Sequence, residues 1–334
     1  LIIEPTAIRG AAKLLRVGVV GVGVMGSNHA RVFAELPGVQ LVGVADPDPQ
    51  RRELVKSILG CPAVSDLDAL LQIGVDALSI AAPTHLHRDL ALAAIARGVH
   101  VMVEKPIASS VAEGREMIAA ARRAGVTLMV GHVERFNPAV RAIKEAIRNE
   151  DIFSIAITRV GPFPPRMSNV GIVIDLAVHD IDLIRWFTDS DIVEVQTQLS
   201  NAVAEREDIA LLQFRTASGV LAHINTNWLT PFKARNVTVA TRGKYVMGDL
   251  ITREVTECYG FQPDGSYSMR HLSVGYEEPL RTELLAFVTA VREGKTPAVT
   301  GEEAVASLEI ATRCLEVKPS AAMRQHQGAR RVVG

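Results

Sequence analysis

The run Gly21-Val22-Gly23-Val24-Met25-Gly26 constrains this chain more than any other six residues. It follows an apolar stretch over 15–22 and opens a helical pattern over 27–36. A strand that turns sharply into a helix leaves the first N–H groups of that helix without partners, and the helix dipole adds positive charge there. Gly21 permits the tight turn, Gly23 lets the backbone approach a ligand, and Gly26 lets helix and strand pack closely. With the N–H groups of Val24 and Met25, the arrangement suits a pyrophosphate. Asp46 ends the next apolar run, about 20 residues beyond Gly26. Its carboxylate is spaced to accept both hydroxyls of an adenosine ribose and to repel a 2′-phosphate. NAD is therefore favoured over NADP, with Arg51 and Arg52 close by as the residues that argue the other way.

The pattern around this loop predicts strands over 15–22, 39–45, 75–81, 99–103 and 127–131. Helices over 27–36, 49–59, 85–97 and 111–124 alternate with them. Such alternation with short loops argues a parallel, doubly wound sheet covered on both faces. Only 4% of the residues are aromatic, and Ala, Val, Leu and Ile carry the core, as in strands buried on both sides. After Asn137-Pro138 the pattern changes to a helix over 139–148, a strand over 152–160 and a helix over 175–187. Strand-like runs then follow one another, with hairpin turns at 216–219 and 242–244, before helices over 279–293 and 301–316. The expected class is α/β: a doubly wound parallel sheet, then an α+β domain with a large, open, mainly antiparallel sheet. The expected boundaries are 1–135, 136–318 and a flexible basic tail over 319–334, the tail reading as a frayed end or as an arm on a neighbouring subunit.

Charge and cysteine usage exclude several partners. The 36 Lys and Arg face 37 Asp and Glu, so the chain lacks the basic footprint of a nucleic-acid or anionic-membrane binder. No apolar run approaches membrane length, and residues 1–10 do not read as a signal peptide. The three cysteines, Cys61, Cys258 and Cys314, form no framework, which points to a reducing cytoplasm. No cluster has metal-ligand spacing, and no Gly-x-Ser-x-Gly elbow is present.

Candidate chemistry lies at the expected carboxyl edge of the sheet, where open α/β folds bind ligands. Pro83, Thr84 and His87 follow the third strand, and Glu104-Lys105-Pro106 leaves the fourth; Pro83, Thr84, His87, Glu104 and Lys105 are the expected further contacts to the cofactor. Lys105 reads either as a group that polarises a hydroxyl or as a solvated turn lysine. Asp175 and His179 stand four residues apart on one helical face. They read either as a carboxylate fixing a buried base or as a cap and a core histidine. The loop 161–169 carries three prolines and holds Arg166 and Asn169, which suit a phosphate, a carboxylate or a sugar hydroxyl.

With these residues in place the chain resembles the Gfo/Idh/MocA oxidoreductases. The resemblance rests on Gly21–Gly26, Asp46, Ala82-Pro83-Thr84 with His87, Glu104-Lys105-Pro106, Gly131-His132 through Arg135-Phe136-Asn137-Pro138, and Asp175 with His179. It implies a Rossmann domain, NAD(P), hydride transfer at a sugar or polyol carbon, and a homo-oligomer (dimer or tetramer) through the C-terminal sheet. It implies Lys105, Asp175 and His179 as catalytic residues and a cis bond before Pro106. Arg135, Asn137, Arg166 and Asn169, with Lys105 and His179, would meet the substrate. The stretch from Pro162 through Asp182 is most similar to family members that oxidise C3 of UDP-N-acetylglucosamine, so a nucleotide-sugar is the expected substrate. Dehydrogenation of another sugar, sugar acid or polyol, NAD-dependent glycoside cleavage, and a non-enzymatic NAD sensor stay open as alternatives.

Overall fold

The computed structural model describes residues 13–164 and 170–316. Arg166, Asn169 and the tail 319–334 lie outside them. The described residues fall into two compact units. The first gathers residues up to Glu104, Glu116–Met129 and Leu284–Ala298; the second holds Lys105–Arg115, Val130–Glu283 and the chain from Val299 on. No single cut in the chain separates them.

The first unit is built on β1 (Leu15–Val20), α1 (Val24–Glu35), β2 (Val39–Ala45), α2 (Pro49–Leu59), β3 (Ala63–Val64), α3 (Leu67–Ile73), β4 (Ala77–Ile80), α4 (His87–Ile95) and β5 (His100–Glu104). Two further elements, α5 (Val111–Ala124) and β6 (Leu128–Gly131), extend this series. The strands form one sheet in the order β3-β2-β1-β4-β5-β6. The pairs β1–β2, β1–β4, β2–β3 and β4–β5 are all parallel. Val17, Val19, Leu78, Ile80, Val101 and Val103 are buried, as expected of strands covered on both faces. Two elements escaped the reading of periodicity. β3 has only two residues, and α3 is a seven-residue helix started by Asp66, whose side chain accepts from the Ala69 N–H.

The second unit contains α6 (Pro138–Ala146), β7 (Ile152–Pro162), a π-helical turn over Val173–Ala177 and α7 (Val178–Thr188). The strands β8 (Ile192–Ser200), β9 (Ile209–Thr216), β10 (Leu221–Asn227), β11 (Leu229–Thr241), β12 (Lys244–Asp249), β13 (Glu254–Tyr259) and β14 (Ser268–Leu272) follow. The last helices are α8 (Pro279–Glu293) and α9 (Gly301–Glu316). Eight strands pair in the order β14-β13-β12-β11-β7-β10-β9-β8, antiparallel except for β7 beside β10. Alternate residues on one face, among them Ile155, Leu212, Ile224 and Val239, join a core with Ile143 of α6, Ile181 of α7 and Ala311 of α9. Phe153, Leu211, Leu221 and Tyr245 project from the strands and are exposed. β11 is the longest of the strands, and its register shifts between Leu229 and Ala234, where Pro231 lies. β14 was not anticipated, because four of its five residues are exposed and give no alternation.

Candidate active site

In the first unit the glycine loop has the geometry its spacing predicts. Gly21 takes a left-handed φ of 79°, and its N–H donates to the Ala45 carbonyl. A Cβ on Gly26 would overlap the Gly21 carbonyl oxygen, so α1 lies against the loop at a distance only glycine allows. A Cβ on Gly23 would meet nothing within 4 Å. Packing therefore does not demand Gly23, and an open cradle lies over it. Gly23 is the N-cap of α1, with no side-chain cap and no acid in the first turn. Helix ends of this kind are anion sites. The Asp46 carboxylate is buried and held from two sides by the N–H groups of Val22 (2.8 Å) and Asp48 (2.9 Å). Arg51 comes within 3.8 Å of it, while the Arg52 guanidinium is spent on the Asp46 and Pro47 carbonyls. Pro83 and Thr84 start a 3-10 turn, and His87 closes it with Nε2 2.8 Å from the Ala82 carbonyl oxygen. These residues fit a dinucleotide: an uncapped helix end for phosphates and an oriented carboxylate for a ribose.

In the second unit Lys105 and Asp175 come together. Lys105 Nζ donates to the Asp175 carboxylate at 3.1 Å and to the Asp175 backbone carbonyl at 2.7 Å. Both side chains keep partial exposure, 17% and 19%, so the pair stays reachable. The Lys105–Pro106 bond is cis. The expected regular helix over 175–187 starts instead with the π-helical turn, which carries Asp175, and becomes α-helical at Val178. The wider turn changes the simple four-residue facing of Asp175 and His179. Asp175 serves Lys105, and His179 Nδ1 is buried with no hydrogen-bond partner. Burial, reinforced by the positive charges of Lys105, Arg159, His132 and Arg235, holds the His179 imidazole well below its usual pKa. It is therefore neutral at neutral pH and able to accept a proton.

Two buried charge clusters surround this histidine. Arg159 on β7 contacts both Asp180 oxygens from Nε at 3.0 Å, adds an Nη2 contact at 2.7 Å, and reaches Glu134 at 2.8 Å. Burial opposes its charge, but Asp180 and Glu134 outweigh that effect and raise its pKa. Arg235 adds a second contact to Glu134 at 3.1 Å. In the other cluster, Arg135 forms a fork with Asp182 at 2.6 and 2.7 Å and reaches Glu303 at 2.7 Å. His132 Nδ1 lies 3.6 Å from Asp182, and its ring meets His179 edge-on with centroids 6.1 Å apart.

The structure thus gives Arg135 and Asn137 internal work rather than an open face. Arg135 is 4% exposed. Asn137 caps α6 through the Ala139 N–H (3.0 Å) and donates to the Leu250 carbonyl (3.0 Å). Arg159 was not singled out from the sequence, and His132, Asp180 and Asp182 were met there only as parts of the resemblance, with no role of their own. One signal was available: Asp180 and Asp182 interrupt an otherwise apolar run of α7 that is buried all round, and a buried carboxylate demands a cation. Nothing local said which cation. Among the described residues, no group of three or more His, Cys, Asp or Glu is placed to hold a metal ion. Nor is any of their helices long and apolar enough to cross a membrane.

Comparison with known proteins agrees with this geometry. Residues 15–132 match the model of an oxidoreductase family with an NAD-binding Rossmann fold, and residues 140–246 match the Gfo/Idh/MocA C-terminal domain. A UDP-N-acetylglucosamine 3-dehydrogenase of Acidithiobacillus ferrooxidans is 31% identical over 237 residues, covering 71% of this chain and 74% of that one. Its solved structure superposes with a TM-score of 0.84 at 27% identity, over 90% and 97% of the two chains. A scyllo-inositol 2-dehydrogenase of Bacillus subtilis is 30% identical over 320 residues, 89% of this chain and 92% of that one. GenD2 from gentamicin A biosynthesis, solved in complex with NAD, matches with a TM-score of 0.78 at 25% identity over 93% and 96% of the chains.

The fold and the glycine loop define an NAD-binding oxidoreductase, and these relatives make it one that acts on CH–OH groups of sugars or polyols. The chain belongs to the Gfo/Idh/MocA family.

Proposed function

We propose that the chain oxidises the C3 hydroxyl of UDP-N-acetylglucosamine to the 3-keto sugar, with Lys105 and His179 as its reacting residues and Asp175 positioning Lys105. The observation that carries this reading is the Lys105–Asp175 pair on the same unit as a neutral, buried His179. NAD, when bound, supplies an acceptor for the hydride. The CH–OH carbon gives up its hydrogen with both bonding electrons, and the hydroxyl gives up a proton, leaving a carbonyl. His179 takes that proton, because its environment keeps it unprotonated beforehand. Lys105 donates to the substrate oxygen and stabilises the charge that develops as the proton leaves. Asp175 acts through Lys105: its carboxylate and its carbonyl fix the ammonium from two directions. Arg166 and Asn169, outside the described residues, are the proposed donors for the diphosphate.

The nucleotide-sugar reading draws on the likeness to the Acidithiobacillus ferrooxidans enzyme in sequence and structure. A second reading, an inositol-type polyol dehydrogenase, is favoured by the likeness to the Bacillus subtilis enzyme over more of the chain. A screen of NADH absorbance with UDP-sugars, free hexoses and inositols separates the two. Rapid NADH formation with UDP-N-acetylglucosamine is expected, and signal with inositols alone refutes the proposal. Stoichiometric NADH also excludes glycoside cleavage with cofactor recycling, and any turnover excludes a pure sensor. The exposed Phe153, Leu211, Leu221 and Tyr245 support self-association through the large sheet, which sedimentation of the purified chain would test.

A further inference from the structure

A hydrogen-bonded line of three side chains runs through the first unit, and two of them, Ser79 and His29, have no part in the chemistry above. Ser79 Oγ on β4 lies 2.7 Å from His29 Nδ1 on α1, and His29 Nε2 lies 3.0 Å from Glu104 Oε1 at the end of β5. Ser79 and His29 are fully buried, while the Glu104 side chain is 12% exposed at the carboxyl edge of the sheet. An ionised carboxylate only accepts, so Nε2 of His29 carries the proton it gives to Glu104. Nδ1 faces the Ser79 hydroxyl, which can donate to it when that nitrogen carries no proton. This line selects one tautomer and one ring orientation, and it aims the carboxylate.

The place of Glu104 in the sheet says what it is aimed at. Along the edge the order is β2, β1, β4, β5. Asp46 follows β2, the glycine loop follows β1, and Glu104 ends β5. Two carboxylates thus flank the phosphate cradle, separated by three strand spacings, or about 14 Å. A dinucleotide is itself two riboses on either side of a pyrophosphate. With the adenosine ribose at Asp46 and the phosphates at α1, the second ribose falls on the β4–β5 side. His29 also sits on the very helix whose N-terminus would take the phosphates.

We propose that His29, locked by Ser79, is a positioning residue that aims Glu104 at the hydroxyls of the second ribose and so sets affinity for the nicotinamide-bearing half of NAD. The inference rests on NAD lying along the Gly21–Gly26 loop. The test is calorimetric titration of the purified full chain with NAD+ and, separately, with ADP, which lacks the second ribose. His29→Leu is expected to weaken NAD+ binding by about tenfold, the order of one charge-assisted hydrogen bond, and to leave ADP binding within twofold. His29→Gln, which keeps an N–H donor, recovers part of the loss. Ser79→Ala leaves the volume nearly unchanged and is expected to weaken NAD+ alone, by a smaller factor, should His29→Leu not fold. Equal weakening of NAD+ and ADP would reduce the line to a structural one and overturn the proposal. NAD+ affinity unchanged in both His29→Leu and Ser79→Ala would overturn it as well. Failure of the wild-type chain to bind ADP would instead overturn the placement of the cofactor on the loop.

Discussion

Lys105 Nζ sits 3.1 Å from the Asp175 carboxylate, though 70 positions separate the two residues in the chain. The ammonium also meets the Asp175 backbone oxygen, so the contact fixes the position of the lysine head in addition to its charge. Lys105→Met is expected to lower kcat by about a thousandfold, within the range for losing a positioned acid–base group, while NAD+ still binds. Initial rates and calorimetry on the same preparation would check both halves. Near-wild-type turnover would remove Lys105 from the chemistry.

Asp175→Asn keeps a hydrogen-bond acceptor but removes the charge. Because Asp175 acts through Lys105, its loss is expected to cost less than that of Lys105, about ten- to a hundredfold in kcat, and to alter the pH profile. An Asn variant as inactive as Lys105→Met, with an unaltered profile, would give Asp175 a direct role instead.

The His179 imidazole, held below its usual pKa by burial and by neighbouring cations, sets the response to acid. In the unfolded chain it titrates near pH 6.5. As pH falls through that value the unfolded state gains the proton first, so stability is full above it and declines as pH approaches the lower folded-state pKa. The rate profile shares the direction: kcat/KM stays level through pH 6.5 and falls only at more acid values. An acid limb centred at or above pH 6.5 would contradict the assignment of His179 as proton acceptor.

Gly23 and Gly26 make a contrasting pair. A Cβ at position 23 meets nothing, whereas one at 26 runs into the Gly21 carbonyl. Gly23→Ala is expected to leave the melting temperature within a degree or two and to weaken NAD+ binding by tenfold or more, about 1.4 kcal/mol. Gly26→Ala is expected to lower stability itself. A Gly23→Ala protein with unchanged NAD+ affinity would argue against the loop as the pyrophosphate site.

Arg159 neutralises Asp180 and Glu134 inside the second unit. Arg159→Met would leave buried carboxylates without their main cation and is expected to cost about 3–5 kcal/mol in urea unfolding. Pairing it with Asp180→Leu should recover part of that loss. A loss below about 1 kcal/mol would mean that water reaches the cluster.

Features confined to a few consecutive residues are legible in the sequence. The glycine loop is one strand end and one helix start, and its steric demands are met within six residues. Helices α2, α5, α8 and α9 run between the residues their apolar spacing predicts, because each carries an uninterrupted face and ordinary end signals. The two-residue β3 left no periodicity to read, and the exposed β14 left no alternation. The π-helical turn at Val173–Ala177 was not visible either, since its apolar sequence satisfies an α-helix equally well.

By itself, the sequence determined the dinucleotide loop, the acid that follows it, the doubly wound sheet and the residue types available for proton and hydride chemistry. These depend on local sterics and on the period of apolar residues. Only the tertiary structure decided that Asp175 faces Lys105 and leaves His179 Nδ1 without a hydrogen bond, that Arg135 and Asn137 turn inward, and that His29 reaches Glu104. The reason is physical: a buried charge or imidazole must find its counterpart across the fold, and that counterpart is chosen by which strands and helices pack together.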